Sequence, residues 1–481
     1  MAREVERKAM LGHKVRRFRQ EQGLSQTEMA AALEISASYL NLIEHNQRPV
    51  TVPLLFRLGQ SFEIDLKAFA QDDEAALAAG LREVLSDPLF QGQPVREQEV
   101  RELAAAAPVS AESILTLYKA YRELREEAEA LAERMSDPER GAWAETRTSA
   151  IEDVRDFLEA ERNHFPELET AAEELWRAHE LAADDLFRGL SAYLEETLGT
   201  GTRVMPVEVM QDTLRRYDLH RRRVLLSEAL PPSGRAFQLA VQIALLGYAD
   251  LLDRITVKAG FKSPEAARLC RASLANYFAG AVMMPYDRFI AAVRELVYDI
   301  ELLQHRFAAS FEQVCHRLTT LQRPGARGVP FFFIRLDNAG NVSKRLSGAG
   351  FHFARFGGTC PRWIVHDAFR WPERILTQVA RMPDGQSFFT IARTLPGLPG
   401  WQASPQPQYA LALGCEIRHA SELVYAQSLD LKGPENVMEI GVSCRVCERL
   451  DCHQRAVPPL NQPLSLDENV RRLSPFSPPP F

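Results

Sequence analysis

The chain has 481 residues, too many for one ordinary hydrophobic core, and at roughly 100–200 residues per domain it predicts three or four domains. Its 46% hydrophobic and 25% charged residues, odd number of cysteines (seven) and lack of a long apolar run exclude a membrane protein and a secreted disulfide scaffold, and predict a cytoplasmic protein. The net charge of −7 divides into +3 over residues 1–60, −19 over 61–200 and +9 over the remainder, so the basic head is the part expected to meet a polyanion.

The first 72 residues follow the pattern of a helix-turn-helix domain. Ser25 and Glu28 predict a capping box at the start of one short helix, and Ser36 begins a second helix that runs to about Glu44. Leu40 and Ile43 would face inward and leave the polar side of the second helix outward. In such a pair the second helix fits the DNA major groove, which predicts a DNA-binding head; a small helical bundle that binds protein is the alternative.

The segments 23–30 and 36–44 resemble the Cro/C1-type repressor family in both order and spacing. The resemblance implies that Gln26 anchors a phosphate, and that a homodimer or homotetramer reads double-stranded operator DNA. The residues expected at the DNA are Gln26, Thr27, Ser36, Ala37, Ser38, Tyr39, Asn41, Asn46 and Arg48.

Residues 73–200 are rich in Ala, Glu, Leu and Arg. Apolar residues recur at three- and four-residue steps between Ser110 and Met135, which predicts one long amphipathic helix. We expect this region to be a helical connector that also dimerises the protein.

Residues 201–325 change to short strands followed by a helix predicted from Gly234 to Arg254. They resemble the zincin-like sensor domain that follows helix-turn-helix units in many bacterial regulators. Catalytic members carry His-Glu-x-x-His, whereas residues 241–245 read Val-Gln-Ile-Ala-Leu. Without metal ligands and the carboxylate base, we expect no peptidase activity and no enzyme.

Arginines and aromatic residues in this region predict a pocket for an anionic ligand, since guanidinium groups suit phosphates. A solvated charged edge is the alternative. The expected ligand residues are Arg203, Tyr217, Arg221, Arg223, Arg235, Tyr277 and Tyr286.

Residues 326–470 hold a cysteine pattern typical of a metal or iron–sulfur site. Cys444 and Cys447 form a CxxC and Cys452 follows five residues later; Cys415 is the expected fourth ligand, with Cys360 as its substitute. Four cysteines suit structural zinc or an iron–sulfur cluster, and reduced thiols or a redox pair are the alternative. The Pro/Ser-rich residues 471–481 predict a disordered tail.

Taken together, the three parts resemble the short-chain fatty acyl-CoA regulators of bacteria, which include the propionate and acetate regulators of actinobacteria and the propionyl-CoA carboxylase regulator of proteobacteria. The family pattern Cys-Arg-x-Cys-x-Arg-x-x-Cys, followed by Arg455-Ala456, is present from Cys444. The resemblance implies a short-chain acyl-CoA effector bound by the middle domain, and a [4Fe-4S] cluster on Cys415, Cys444, Cys447 and Cys452, with zinc as the alternative.

The expected fold is multidomain: mainly α in the amino-terminal half, an α+β zincin-like middle domain and a mixed α/β cysteine-rich carboxyl-terminal domain. The expected function is a DNA-binding transcriptional regulator of short-chain acyl-CoA metabolism that responds to acyl-CoA. A redox or iron–sulfur sensor without an acyl-CoA effector and a DNA-tethered zinc metallopeptidase are the alternatives.

Overall fold

A computed structural model of the chain contains two compact units, Met1–Tyr121 and Arg122–Phe481. The expected tail 471–481 lies outside the described residues except for Phe476. The described residues are 15–16, 18–19, 22, 24–44, 47–48, 50–62, 73–85, 87–90, 96–136, 145–179, 181–182, 185–348, 351, 353, 359–397, 407–427, 429–431, 433–444, 447, 449, 452–458 and 476.

The first unit is helical, and the helix-turn-helix pair contributes to a hydrophobic core at its amino-terminal end. The Ser25 hydroxyl accepts a hydrogen bond from the Glu28 backbone N–H, and the Glu28 carboxylate accepts one from the Ser25 N–H, so the predicted capping box is confirmed. Leu40 and Ile43 are fully buried, as predicted. The described helices that begin in this unit are α1 Gln26–Ala32, α2 Ala37–Glu44, α3 Val52–Phe62, α4 Asp73–Leu85, α5 Glu97–Ala106 and α6 Pro108–Ser136.

Helices α4, α5 and α6 bury a second small core around Leu81, Val100 and Ala104. The Tyr118 hydroxyl of α6 donates to Asp87 Oδ2 at 2.7 Å inside this unit. The long helix predicted over 110–135 is therefore confirmed as α6, and its buried residues Ala111 and Tyr118 pack within the first unit.

The second unit begins with a helical layer and a three-stranded sheet of order β1-β3-β2, in which β1 is parallel and β2 antiparallel to β3. Val224 and Leu226 of β3 point into the core, so Arg223 and Leu225 point outward. The elements are α7 Glu145–Ala160, α8 Pro166–Ala178, α9 Leu186–Glu196, β1 Gly201–Met205, α10 Val207–Met210, β2 Arg215–Asp218, β3 Arg223–Ser227, α11 Pro232–Gly247, α12 Ala249–Lys258, α13 Pro264–Met283, α14 Tyr286–Glu295, α15 Ile300–Phe307 and α16 Phe311–Thr319.

The prediction of a single helix from Gly234 to Arg254 is wrong. The first helix ends at Gly247 and the second begins at Ala249, and Tyr248 between them has φ of −124° and ψ of 26°. Helices α11 and α12 meet there at a bend of 79°. Within the described ranges, no single helix is both long and apolar enough to span a membrane; α11 and α12 meet the length and composition only as a bent pair.

The carboxyl-terminal half of the unit forms a six-stranded sheet of order β5-β4-β8-β7-β6-β9, antiparallel except between β6 and β9. Its faces belong to different cores: Leu413 and Cys415 of β8 pack with the helical layer, while Ala410 and Ala412 pack on the side that holds Cys360. The strands, with one short helix, are β4 Phe332–Asp337, β5 Val342–Ser347, α17 Ile364–Asp367, β6 Leu376–Arg381, β7 Ser387–Leu395, β8 Tyr409–Glu416 and β9 Val437–Glu439. The expected fold class is confirmed.

A buried ion pair holds the helical layer together. Glu169 of α8 and Arg317 of α16 are 2% and 1% exposed, and their two hydrogen bonds measure 2.6 and 2.8 Å. The Tyr277 hydroxyl of α13 donates to Glu169 Oε1 at 2.5 Å, and Arg317 Nε donates to the Met284 carbonyl at 2.9 Å. Burial raises the pKa of Glu169, but the Arg317 guanidinium and these hydrogen bonds hold it below its ordinary value.

We expect Glu169→Gln to destabilise the second unit by about 3–5 kcal/mol, because it leaves the Arg317 charge buried without its counter-charge. Glu173→Gln is the matched control: its ion pair with Arg323 is 28% exposed on both sides, so the change is expected to cost under about 1 kcal/mol. Urea unfolding followed by circular dichroism measures both, and equal losses for the two variants would contradict the assignment.

Candidate functional sites

The DNA-binding face of the head is braced from behind by Glu44, the last residue of α2. The Glu44 carboxylate is buried and accepts hydrogen bonds from Arg19 at 2.6 and 3.1 Å and from the Gln26 amide at 2.8 Å. The Gln26 amide also donates to Asn41 Oδ1 at 3.3 Å. Burial raises the pKa of Glu44, but the hydrogen bonds from Arg19 and Gln26 bring it below its ordinary value. This network fixes α1 against α2 and orients Gln26.

Most residues predicted to contact DNA lie on the solvent side of α1 and α2. Thr27, Ser38 and Asn41 are exposed, while Gln26, Ala37 and Tyr39 are half-buried. The hydroxyl of Ser36 accepts the backbone N–H of Tyr39 at 3.1 Å, so Ser36 begins α2 as predicted. Arg48 is also exposed, and Asn46 lies outside the described residues.

The zincin-like layer has apolar packing where a catalytic member has its metal ligands. Val241, Ile243 and Ala244 of α11 are buried in the core, and the Gln242 side chain is buried beside them. None of these side chains can ligate zinc at the charge and geometry that a peptidase needs.

The residues predicted to bind an anionic ligand do not all line one pocket. Arg203 and Arg223 project from the outer face of the three-stranded sheet, whereas Tyr217 is paired with Val224 on the inner face. Arg221 is exposed in the turn between β2 and β3. The sheet therefore separates Tyr217 from Arg203 and Arg223, and ligand binding by these residues stays a prediction.

The other three residues of that set are occupied elsewhere. Arg235 donates to the Glu228 carbonyl at 2.9 Å, and Tyr277 is part of the buried Glu169 network. Tyr286 is fully buried and its hydroxyl donates to the Ala326 carbonyl at 3.0 Å. Proximity in the sequence could not reveal that strand alternation separates Tyr217 from Arg203 and Arg223.

A cleft of about 390 Å³ opens between the helical layer and the large sheet. Its rim carries Arg294 and Arg327, and the Arg294 guanidinium donates to the Arg327 carbonyl at 3.2 Å. His419 and Glu422, joined at 2.7 Å, close the opposite side. Sequence analysis missed this cleft because its residues come from three distant segments with no shared spacing.

The wall of this cleft is a strained turn. Val297 and Tyr298 have φ of 50° and 60°, left-handed values that are costly for bulky side chains and above all for a β-branched one. Neighbours hold the turn: the Val297 carbonyl accepts from the Val424 N–H at 2.9 Å, and the Tyr298 hydroxyl accepts from the Val329 N–H at 2.9 Å. Such strain is characteristic of ligand clamps and switch regions.

Four cysteines line a second, small cavity at the end of the large sheet: Cys360, Cys444, Cys447 and Cys452. Arg455 shapes this segment by donating to the Cys444 and Cys447 carbonyls, both at 2.8 Å. Burial raises the pKa of Cys360; backbone N–H groups oppose that shift, and the neighbouring Cys444 and Cys447 thiols reinforce it.

The choice of Cys415 as the fourth residue of this group is wrong, and its substitute Cys360 takes the place. Cys415 continues the alternation of β8 and packs with Leu413 on the helical side of the sheet, whereas Cys360 lies on the other face with Ile440. Burial, with Glu422 and Glu416 adding to it, raises the pKa of the Cys415 thiol. The signal was available: Cys415 ends an apolar strand run, while Cys360 lies in a Gly/Pro-rich loop.

The cysteine cavity has a tight wall at Gly441, where an added Cβ would stand 2.7 Å from Cys447 Sγ. In the part of the chain that the structure describes, no three His, Cys, Asp or Glu side chains stand close enough to share one metal ion. The four cysteines line one common cavity.

Three family profiles match consecutive parts of the chain. Residues 15–69 match a helix-turn-helix, 195–319 match an IrrE N-terminal-like domain, and 320–476 match the short-chain fatty acyl coenzyme A regulator, C-terminal. The second match covers the zincin-like layer, and the third covers the large sheet with the cysteine cavity.

Whole proteins show the same order. The HTH-type transcriptional regulator PrpR of Mycobacterium tuberculosis is 40% identical over 97% of this chain and 95% of its own length, and RamB of the same species is 41% identical over 98% of each. The propionyl-CoA carboxylase regulator of Cereibacter sphaeroides is 41% identical, again over 98% of each. A solved Mycobacterium tuberculosis transcriptional regulator superposes with a TM-score of 0.65 at 42% identity, covering 68% of this chain and 99% of that one. The chain therefore belongs to the short-chain fatty acyl coenzyme A regulator family of helix-turn-helix transcriptional regulators.

Proposed function

We propose that the chain regulates genes of short-chain acyl-CoA metabolism, such as propionate or acetate use, and that an acyl-CoA thioester changes its operator affinity. The observation that carries the proposal is the outward polar face of α2, fixed by Glu44, in a chain whose residues 320–476 match the acyl-CoA regulator domain. Action on operator DNA places the protein in the cytoplasm, and pairing of two half-sites calls for a homodimer or homotetramer.

The α2 face reads the operator through short polar side chains. Asn41→Ala is expected to lower affinity for the specific operator by about 1–3 kcal/mol, because it removes a side chain that can bond a base edge. Affinity for random duplex, which depends on phosphate contacts, should change little. Fluorescence anisotropy on both duplexes measures this, with the exposed Gln47→Ala as the control; equal losses on the two duplexes would exclude base reading by Asn41.

The cleft rimmed by Arg294 and Arg327 is the candidate site for the phosphate groups of the acyl-CoA. Guanidinium forks form strong charge-assisted bonds to phosphate, and Arg294 and Arg327 take part in no ion pair within the described residues. Its volume lies within the usual range for ligand pockets, and its floor of Tyr298 and Val329 is buried. Ligand binding in the cleft would act on the strained turn at Val297. It would change operator affinity only through a second arrangement of this turn that binds the ligand with a different affinity.

We expect R294Q/R327Q to weaken propionyl-CoA binding by about tenfold or more, because two charge-assisted contacts are lost. Isothermal titration measures the affinity, and an electrophoretic shift titration with acetyl-, propionyl- and butyryl-CoA measures the operator response. The control R188Q/R254Q makes the same charge change at exposed sites of the same unit. Wild-type protein whose operator binding ignores every acyl-CoA would refute the regulator proposal; an unchanged double variant would refute only the cleft.

Regulation rather than catalysis is the role of the zincin-like layer. The apolar side chains at 241 and 243–245, with Gln242 among them, provide neither zinc ligands nor a general base, so a DNA-tethered metallopeptidase is disfavoured. We infer that the protein is not an enzyme.

We propose that the cysteine cavity holds a [4Fe-4S] cluster, with zinc as the alternative. A cluster gives each thiolate its own iron, which suits four cysteines around a common space. Cys360, Cys444, Cys447 and Cys452 would hold it, and it would supply redox or iron sensitivity. A sensor of this kind without an acyl-CoA effector is the second candidate function.

We expect Cys360→Ser to abolish the broad absorbance near ~400 nm of anaerobically prepared protein, because it removes a ligand of the iron–sulfur group. Cys415→Ser is the matched control and should keep that absorbance, since Cys415 lies on the other face of the sheet. Bound iron and zinc are measured on the same samples. Loss of the absorbance in Cys415→Ser but not in Cys360→Ser would contradict this ligand set, and stoichiometric zinc in the wild type would replace the cluster.

A further inference from the structure

The outer face of the three-stranded sheet carries a group of exposed arginines that operator reading by α2 does not use. We call this group the arginine face; it consists of Arg203 of β1, Arg216 of β2, Arg223 of β3, and Arg221 in the turn before β3.

Strand register places these side chains on one surface. Arg203 and Arg216 are both paired with Leu225, one on each side, so their backbones stand about 10 Å apart across two strand spacings. Arg223 precedes Leu225 by two residues and therefore points to the same face, about 7 Å along β3. Gly201, paired with Arg223, leaves that corner of the surface flat.

The arginine face carries more basic than acidic residues. None of its four guanidinium groups takes part in an ion pair or a side-chain hydrogen bond within the described residues. Arg215, one residue from Arg216, shows the contrast: it points inward, and its guanidinium donates to the Gln238 carbonyl at 3.3 Å. Asp218 shares this face: it is paired with Arg223 across the strands, and its carboxylate accepts a hydrogen bond from the Arg221 backbone N–H at 3.0 Å. That hydrogen bond and the charge of Arg221 lower the pKa of Asp218. Four arginines against one aspartate leave this face with a net positive charge.

We propose that the arginine face binds the sugar–phosphate backbone of the duplex beside the sequence that α2 reads. A sheet surface is flat rather than concave, which suits an extended polyanion better than a small ligand. About 10 Å of duplex axis carries roughly three phosphates per strand, enough to engage arginines at this spacing separately. Residues 201–481 carry a net charge of +9, so the surrounding field also favours a polyanion.

The test compares two duplexes, both selected for binding by the full chain. The short one ends at the outermost base whose methylation interferes with binding, and the long one adds a further helical turn on each side. Wild-type protein should bind the long duplex about tenfold or more tightly than the short one, and R203Q/R216Q/R223Q should bind both equally. The slope of log affinity against log salt on the long duplex should fall by about 2–3 in the variant, since each lost phosphate contact removes about 0.9.

The control is R188Q/R254Q/R268Q, which makes the same charge change at exposed arginines outside the arginine face of the same unit. The control should keep the preference for the long duplex, and circular dichroism should show both variants folded. Retention of that preference in R203Q/R216Q/R223Q, or equal loss in the control, overturns the proposal. A changed sedimentation coefficient with an unchanged duplex preference also overturns it, and would indicate contact with a second copy of the chain.

Discussion

The ion pair between Glu169 and Arg317 is the interaction on which the second unit depends. Two charges that are almost fully removed from water are tolerated only when each satisfies the other, and here both hydrogen bonds of the fork are made. Because the pair also engages Tyr277 and the Met284 carbonyl, it fixes α8, α13 and α16 relative to one another at one point. The helical layer can therefore cover the large sheet in one arrangement and hold the walls of the cleft.

In the large sheet, side chains alternate between the two faces along each strand, so one face packs on the helical layer and the other on the core next to the cysteines. Successive residues of β8 face the helical core and the opposite core in turn, so two regions that differ in chemistry share one strand. Alternation also separates Tyr217 from the arginine face in the small sheet. In both sheets, a shift of one residue would exchange the roles of the two faces.

Local signals in the sequence predicted the elements that depend on local chemistry. The capping box at Ser25, the inward Leu40 and Ile43, and the long helix α6 follow from spacing within one turn or one helix, and all three are confirmed. The identity of the fourth cysteine and the dispersal of the predicted pocket depend on which strand face meets which layer. The cleft depends on residues near 294, 327 and 419 meeting in space, which no pattern within one segment encodes. The Glu44 network was missed for the same reason, since Arg19 is 25 residues away.

The hydrogen bonds from Arg455 to the Cys444 and Cys447 carbonyls have a consequence for the binding and release of a metal group at these cysteines. These bonds join the Arg455 guanidinium to backbone carbonyls and involve no sulfur, so they hold the backbone at Cys444 and Cys447 without a bound metal. Because the backbone at these two cysteines is already ordered, binding of a metal cluster would cost little conformational entropy. Release of the cluster would not require this segment to unfold. The cysteine site would then release and rebind its metal group while the large sheet stays folded.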